Sequence, residues 1–185
     1  LVGYANESQI SNCHVVVSNS RVGVSFSNGE EYIHKAHVGG IAGESKLSII
    51  RNSDVKLTDA VLCAQGYDVS KYQSMYAFFS VGGILGFSES GSDNTSHIGR
   101  VGTQLLNCKV ISNNQMQKDV IIASLEKGDE VTAGGLVGCT FNNFLAKNCS
   151  VDITKGNIVA QKTGTTDSAT YGSNAGGIIG RLEHT

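Results

Sequence analysis

The residues of this chain that could carry out chemistry are scattered along it. The histidines do not converge in the ligand spacing of a zinc site, although His34 and His37 flank a predicted strand start. A glycan-cleaving site would need paired carboxylates in one groove. Asp54 and Asp152 would share the solvent face of a repeating structure, but two repeats apart and with Lys109 in the row between them. We therefore predict no catalytic residues, no metal site and no cofactor.

A glycine motif recurs along the chain and sets its organisation. Two adjacent glycines precede two apolar residues and a third glycine, and the pairs are Gly39-Gly40, Gly82-Gly83, Gly134-Gly135 and Gly176-Gly177. Glycine reaches φ above 0° and lets backbones approach closely, so we interpret each pair as a tight corner that leads into a first strand. A phosphate-binding loop would need a Lys and a following helix, which are missing. The repeats span about 1–36, 37–79, 80–131 and 132–174, and another begins at 175–185.

A second recurring pattern is an asparagine that precedes a short strand. These asparagines are Asn12, Asn52, Asn107 and Asn148. Asn tolerates the left-handed backbone conformation and bonds to its own backbone, so we predict a stacked asparagine turn rather than a ligand site. In the strand that follows, apolar and polar residues alternate, which predicts one buried face and one solvent-exposed face. We expect one internal row made of Val15, Val55, Val110 and Val151.

Cysteine follows this asparagine at Cys13, Cys108 and Cys149, and Ser53 takes its place in the remaining repeat. A reduced Cys behaves as a small hydrophobic residue, so we expect these side chains in the core column. Cys108 and Cys149 would lie in neighbouring repeats, with their Cα atoms near disulfide range. Side chains of parallel strands in register point the same way rather than toward each other, so we expect reduced thiols.

A third apolar run completes each repeat, and the run after Asn107 starts later than its equivalents, which indicates an insertion there. Three short strands cannot bury their apolar face alone, but copies stacked about 4.8 Å apart bury a continuous column. Crossovers between parallel strands are right-handed by default. We therefore predict an all-β fold: a right-handed parallel β-helix, or β-solenoid, with three short strands per coil and about four coils. Residues 1–185 would form one such segment, a fragment of a longer repeat protein.

Two features predict contacts outside this core. Two consecutive apolar residues follow each glycine pair, as in Ile84-Leu85, and neighbours in a strand point to opposite faces. We therefore expect an apolar outer face on the first sheet, covered by a loop or by a partner. The connection from Gly66 to Phe79 is rich in aromatic residues, so we expect it to fold over an edge or a face.

Composition disfavours two classes of partner. The net charge of −2 and the pI near 6.2 provide no broad basic field, so we expect no nucleic acid partner. The sequence has no apolar run long enough to span a bilayer, so we expect no membrane insertion. Glycosylation sequons at Asn6, Asn94 and Asn148 would matter only in a eukaryotic secretory protein. Asn148 belongs to the turn ladder, where a glycan would be awkward, whereas Asn94 lies in a long Ser/Gly/Asn-rich loop.

The glycine motif and the Asn-Cys strand together resemble the GLUG-motif repeat family. The best match is Gly134-Gly135-Leu136-Val137-Gly138 with Asn148-Cys149-Ser150-Val151, and the resemblance covers essentially the whole chain. It implies β-solenoid repeats of large secreted or surface-anchored proteins, including adhesin-like proteins and the non-catalytic part of IgA-cleaving metalloproteases. The His-Glu-x-x-His signature of those proteases is absent here, so the resemblance implies no catalysis.

We expect a non-enzymatic structural or adhesive segment of an extracellular or cell-surface protein, in which a rigid rod displays variable loops. The expected partners are flanking repeats or domains of the same parent chain, a host-surface protein or glycan, and other copies of the chain. Two alternatives stay open. One is a subunit of an extracellular filament built by stacking of coil ends, and the other is a glycan-processing β-helix enzyme.

Overall fold

The computed structural model describes residues 2–26, 35–68, 78–89, 102–127, 130–141, 143–163 and 172–183. The described residues form strands, bends and connections, with no helix among them. The strands in chain order are β1 (Val2–Asn6), β2 (Gln9–Ser11), β3 (His14–Ser18), β4 (Arg21–Ser25), β5 (Lys35–Gly39), β6 (Ala42–Lys46), β7 (Ile49–Arg51), β8 (Asp54–Thr58), β9 (Val61–Asp68), β10 (Phe78–Gly82), β11 (Leu85–Glu89), β12 (Gln104–Leu106), β13 (Lys109–Lys127), β14 (Glu130–Gly134), β15 (Val137–Phe141), β16 (Leu145–Lys147), β17 (Ser150–Lys162), β18 (Ser173–Gly176) and β19 (Ile179–Glu183).

These strands form four parallel sheets, and neighbouring strands come from successive repeats. The entry sheet, which leads into the glycine pairs, has the order β18-β14-β10-β5. The exit sheet, which follows them, has the order β1-β6-β11-β15-β19. The short sheet is β16-β12-β7-β2, and the long sheet is β3-β8-β13-β9-β4 with β17 paired to β13. Each repeat of the sequence is therefore one layer of a stack, and the expected all-β fold with parallel strands is confirmed.

The predicted valine row lies in the long sheet and is confirmed. Val15 pairs with Val55, Val55 with Val110, and Val110 with Val151. Val55 and Val110 are fully buried, while the two end members are half-buried against the same core. Because side chains alternate across a strand, the residue that follows each of these valines faces outward, as Lys56 and Asp152 do. The row buries a continuous apolar column that a single layer could not bury.

The prediction of three strands per coil was too low. The layer from Lys35 to Asp68 contributes β5, β6, β7, β8 and β9 to the four sheets. The chain bends at Leu47, Asn52 and Asp59, with φ of 49°, 48° and 49°. The turn at Asn52 was expected, but the bend at Leu47, which separates β6 from β7, was not. A left-handed residue turns the chain by a large angle within one position, so a short apolar run divides between two sheets.

The pair of apolar residues after each glycine pair does not create an apolar outer face, and that expectation was wrong. Ile84 and Leu85 are both fully buried and belong to the same core cluster. The reason is that Ile84 lies in the bend between β10 and β11, where the strict alternation of a strand does not apply.

The aromatic connection from Gly66 to Phe79 ends inside the core rather than over an edge. Phe78 and Phe79 belong to β10 and are buried, and Phe79 lies 5.7 Å from Phe26 between ring centroids. The rest of that connection, 69–77, lies outside the described residues. The two phenylalanines are thus strand residues that anchor the end of the connection to the entry sheet.

Connections of different length leave the register unchanged. Residues 47–48 join the exit sheet to the short sheet in one layer, whereas 90–103 do so in the next. Even so, Leu105 of β12 pairs directly with Ile50 of β7. The expected insertion after Asn107 lies within β13, whose pairing with β17 shifts between Asn113 and Lys118. Extra residues are therefore absorbed in the connection 90–103 and in the register shift within β13, and the strands on either side stay aligned.

Candidate functional site

The asparagine positions lie at the bend between the short sheet and the long sheet. All four are left-handed, with φ of 56°, 48°, 53° and 54° at Asn12, Asn52, Asn107 and Asn148. The Nδ2 of Asn107 donates to Oδ1 of Asn52 at 2.9 Å, and the Nδ2 of Asn148 donates to Oδ1 of Asn107 at 3.2 Å. The side chains thus form an exposed amide ladder along the stack. A glycan on Asn148 would replace one of the two hydrogens on the Nδ2 that donates to Asn107.

The cysteine positions form a second ladder one residue further along the chain. The backbone N–H of Cys13 donates to Oγ of Ser53 at 3.1 Å, and the N–H of Cys108 donates to Sγ of Cys149 at 3.4 Å. Cys108 is buried, while Cys13 and Cys149 at the two ends are half-buried. All of them carry thiols rather than a disulfide. The ladder therefore joins a serine and three thiols in one column that touches the core.

The two thiols of Cys108 and Cys149 interact with each other, and this makes them unequal. The hydrogen bond that Cys149 receives from Cys108 lowers the pKa of Cys149. The same bond, together with burial, raises the pKa of Cys108. A thiol that donates keeps its proton and stabilises a neighbouring thiolate. Cys149 is therefore the more acidic and the more accessible partner of the pair.

The glycine pairs are corners by position, but not by the conformation that the sequence suggested. The first glycine ends an entry strand and the second lies in the bend, as at Gly82 and Gly83. None of the described glycines has a φ between +20° and +160°. A Cβ on Gly83 would meet the carbonyl oxygen of Gly135 and the side chain of Val110. Close approach between layers, rather than left-handed geometry, explains glycine at these corners.

The carboxylates considered for glycan cleavage lie in different rows of the long sheet. Asp54 is in the row that pairs His14, Asp54, Lys109 and Ser150 across the layers. Asp152 belongs to the next outward row, where it pairs with Ile111. In the row of Asp152 the next residue is Ile111, followed by Lys56. The expectation that Lys109 separates Asp54 from Asp152 in a shared row was therefore wrong. Asp54 instead pairs its carboxylate with the imidazole of His14, which is an exposed contact.

A third feature was not found by sequence reasoning: an aromatic cluster between the entry and exit sheets. We name it the inter-sheet cluster, and its members are Phe78, Phe87, Cys139, Phe141 and His37. The ring of His37 stacks on Phe87 at 4.6 Å between centroids and meets the edge of Phe78 at 5.2 Å. Among the described residues, neither ring nitrogen of His37 finds a hydrogen-bond partner. Burial, helped by the charge of Lys35, lowers the pKa of His37 to about 3.

A buried ion pair extends the inter-sheet cluster toward the last layer. The carboxylate of Glu130, fully buried at the start of β14, pairs with the guanidinium of Arg181. Arg181 also lies over the ring of Phe141, 6.0 Å from its centroid. The sequence carried one signal of this cluster, because a variable residue follows the third glycine of each motif. Those residues form one row across the exit sheet, Tyr4, Glu44, Phe87, Cys139 and Arg181.

Within the described ranges, no three His, Cys, Asp or Glu residues are grouped closely enough to hold a metal ion. Three histidines and one sequon lie outside those ranges: His34, His97, His184 and Asn94. The part of the chain that the structure describes contains no helix that could cross a membrane. Comparison with known proteins adds no assignment, since no family model, curated protein or solved structure matches this chain.

Proposed function

We propose that this chain is a segment of a right-handed parallel β-solenoid that serves as a non-enzymatic structural or adhesive rod of a large extracellular or cell-surface protein. The observation that carries the proposal is the constant register of the layers across connections of unequal length. Residues 47–48 and 90–103 make the same connection, yet Leu105 still pairs with Ile50. A scaffold of this kind leaves its loops free to vary in sequence and length, and binding residues commonly lie on such loops.

The proposal includes two features of the fold: the chain winds in a right-handed sense, and each layer is one complete turn of the solenoid. Every strand pairing in the four sheets is parallel and joins successive layers. Crossover connections between parallel strands of one sheet are right-handed in nearly all proteins. The resemblance to GLUG-motif repeats agrees with a surface rod, because that family occurs in large secreted and surface-anchored proteins.

The adhesive part of the proposal predicts that the longest connection can be removed without loss of the scaffold. A variant lacking 90–101 should keep the β-sheet circular dichroism signal and the thermal midpoint, because Gly102 and Thr103 still lead into β12. The full chain is first screened on an array of glycans and matrix proteins. The deletion variant should then fail to bind the spots that bind the full chain. A deletion of 164–171 serves as the matched control. Unfolding of the 90–101 deletion, or full retention of binding by it, would contradict the proposal.

An enzyme would be recognised by turnover rather than by binding. We expect no hydrolysis or elimination when the chain is incubated with a panel of polysaccharides. Turnover that disappears in Asp54→Asn or Asp152→Asn would overturn the non-enzymatic assignment. These two carboxylates are chosen because they lie on the outward side of the long sheet.

A filament is the second candidate function, and one observation favours it. Among the described residues, the exposed large hydrophobic side chains lie in the first layer or the last two layers, namely Tyr4, Val16, Val22, Val24, Leu145, Ile178 and Leu182. We infer that the end layers stack on further parallel strands, either of flanking repeats or of another copy. Sedimentation velocity over a wide range of concentrations tests self-association. Concentration-dependent assembly that Val22→Lys abolishes would favour the filament, because Val22 pairs with the fully buried Leu62 and is exposed only at the end of the stack. A monomer at every concentration would reject the filament.

A further inference from the structure

We propose that Cys108 and Cys149 are a peroxide-responsive thiol pair that closes into a reversible disulfide between two neighbouring layers of the stack. This inference does not depend on the proposed function. It rests on the neighbouring positions of the two cysteines, the hydrogen bond from the backbone N–H of Cys108 to the sulfur of Cys149, and their unequal exposure.

The two cysteines are held side by side by backbone hydrogen bonds on both sides. Just before them, the N–H of Asn107 donates to the carbonyl of Lys147 at 2.9 Å. Just after them, the N–H of Ser150 donates to the carbonyl of Cys108 at 3.0 Å. Adjacent parallel strands lie about 4.8 Å apart. This spacing falls within the range of Cα separations that disulfides span.

The two cysteines already contact each other in the reduced protein. Cys108 donates its backbone N–H to Sγ of Cys149 at 3.4 Å, and the Cys149 thiol itself lies on the backbone carbonyls of Leu105 and Lys147, at 3.3 and 3.4 Å. An N–H donor stabilises the sulfur that accepts it as a thiolate, and the thiolate is the form that reacts with peroxides. The geometry thus identifies Cys149 as the attacking sulfur and Cys108 as the resolving thiol.

Exposure points to the same assignment of roles. Cys149 is half-buried at a bend and is flanked by the exposed residues Asn148 and Ser150. Cys108 is only 1% exposed. A small oxidant therefore reaches Cys149 first, while Cys108 is protected from direct oxidation but remains in contact with Cys149.

The chemistry is a two-electron oxidation with hydrogen peroxide as the oxidant. The Cys149 thiolate attacks one peroxide oxygen, the O–O bond breaks, and the products are a sulfenic acid and hydroxide, which takes up a proton to become water. The sulfur of Cys108 then attacks the sulfenic sulfur, its proton leaves with the departing hydroxide as a second water, and the S–S bond forms. Two thiols and one peroxide thus give one disulfide and two waters.

The bridge is expected to be easy to reduce. Side chains in register on parallel strands leave the backbone in the same direction, which departs from relaxed disulfide geometry. Strained disulfides have more oxidising potentials and belong to the labile, regulatory class. A disulfide here would join the layers that contain β13 and β17 covalently and would strengthen the stack only under oxidising conditions.

The chain contains its own matched control. Cys13 occupies the same ladder position and is half-buried like Cys149, but its neighbour in the next layer is Ser53. Cys13 therefore has the accessibility of Cys149 without a resolving thiol beside it. Oxidation that depended on exposure alone would affect Cys13 and Cys149 equally.

The test is peptide mapping by mass spectrometry after oxidation. The purified chain is treated with a small excess of hydrogen peroxide, unfolded, alkylated with N-ethylmaleimide and digested. We expect Cys108 and Cys149 to be recovered as one linked peptide pair lacking two hydrogens, while Cys13 remains alkylated. Treatment with dithiothreitol should restore alkylation at both positions.

Two variants separate the pair from incidental oxidation. In Cys108→Ser, Cys149 should proceed to sulfinic and sulfonic acid instead of becoming linked, whereas Cys13→Ser should leave the linked pair intact. Circular dichroism establishes that each variant is folded. If Cys108→Ser fails to fold, the unaltered chain still decides the matter. Alkylation of both cysteines after peroxide, or over-oxidation of Cys149 without linkage, would overturn the proposal.

Discussion

A left-handed asparagine does two things at each bend into the long sheet. Its positive φ, 53° at Asn107, turns the chain from the short sheet to the long sheet within one residue. Its amide then donates to Asn52 and accepts from Asn148 in the layers on either side. Glycine could supply the turn and many polar residues could supply a hydrogen bond, but Asn supplies both at low steric cost.

Substitution of Asn107 should separate these two contributions. Asn107→Gly keeps the turn and loses the ladder bonds, so it should lower the free energy of unfolding by about 1 kcal/mol. Asn107→Ala also places an ordinary side chain in the left-handed region, which adds about 1–2 kcal/mol. Urea denaturation followed by circular dichroism measures both. Equal losses in the two variants would contradict the role of the left-handed turn.

His37 makes the stability of the fold depend on pH. Burial in the inter-sheet cluster lowers its pKa to about 3, against 6.5 when unfolded. Between these values the unfolded chain binds a proton at this position that the folded chain does not. Stability therefore rises with pH from about 3 to 6.5 and is lost as pH falls through that window. Above pH 6.5 the imidazole is neutral in both states and contributes no dependence.

His37→Phe should remove this dependence while preserving the stacking on Phe87. The unfolding free energies of the two proteins should have similar pH dependence above pH 6.5. As the pH falls below 6.5, the unfolding free energy of the variant should decrease less steeply. The difference in slope should correspond to the uptake of at most one proton on unfolding. Burial raises the pKa of Glu44, which acts in the opposite direction, so the comparison is repeated in Glu44→Gln. If the unfolding free energies of the unaltered chain and of His37→Phe change in parallel across pH 4–6.5, His37 is not the source of the pH dependence.

At the scale of the elements, the glycine pair is a packing requirement between layers. The second glycine of the first three pairs lies against the carbonyl oxygen of its equivalent in the next layer, as Gly83 does against Gly135. It also lies against a valine of the long-sheet row, Val110 in this layer. The corner therefore joins three sheets within a space that has no room for a methyl group.

The last layer provides an internal control for this requirement. A Cβ on Gly177 would meet nothing within 4 Å, because no described layer lies beyond it. Gly83→Ala should therefore lower the thermal midpoint and cost about 1–3 kcal/mol by overpacking. Gly177→Ala should leave stability nearly unchanged. Differential scanning fluorimetry compares them, and equal effects would mean that conformation rather than space selects glycine here.

Some of the strands could be predicted from the sequence alone, and some of the bends between them could not. Alternation around Val55 and Val110 predicted the long sheet and its internal row, because period-two burial is a local property of a strand. The number of strands was not predictable in this way. Leu47 and Asp59 are left-handed without being glycine or asparagine, and Asp59 makes hydrogen bonds to Asn114 and Gln115 of the next layer, which its own sequence does not specify. Local pattern identifies strands better than it identifies the bends that separate them.

The sites show the same division between local and long-range information. The Asn and Cys ladders were visible because one short motif repeats, so each residue predicts its own neighbour in the stack. The inter-sheet cluster was missed because His37 and Phe87 belong to different sheets and to different layers. The same is true of Glu130 and Arg181. Contacts of this kind depend on how two sheets approach each other, which a repeat motif does not specify.

At the scale of the whole molecule, a stack of layers should not open all at once. Each layer contacts mainly its neighbours, so stability is expected to be highest in the middle and lowest at the ends. The long sheet offers three matched reporters, the amides of Asp54, Lys109 and Ser150. Each donates to the preceding layer, at 2.9, 3.0 and 3.0 Å respectively. The bonds are alike, and they differ in how deep within the stack they lie.

Hydrogen exchange at these amides tests the layered behaviour. Exposing Lys109 requires separation of the two central layers, whereas exposing Asp54 or Ser150 requires only an end layer of the long sheet to detach. We expect Lys109 to exchange most slowly, by about tenfold or more for each 1.4 kcal/mol of extra opening energy. Oxidation of the Cys108 and Cys149 pair should slow hydrogen exchange selectively at the amide of Ser150, because the disulfide links the last layer of this sheet covalently to its neighbour. Equal rates at all three amides would instead indicate a single cooperative unit, in which the repeats of the sequence do not correspond to separate steps of unfolding.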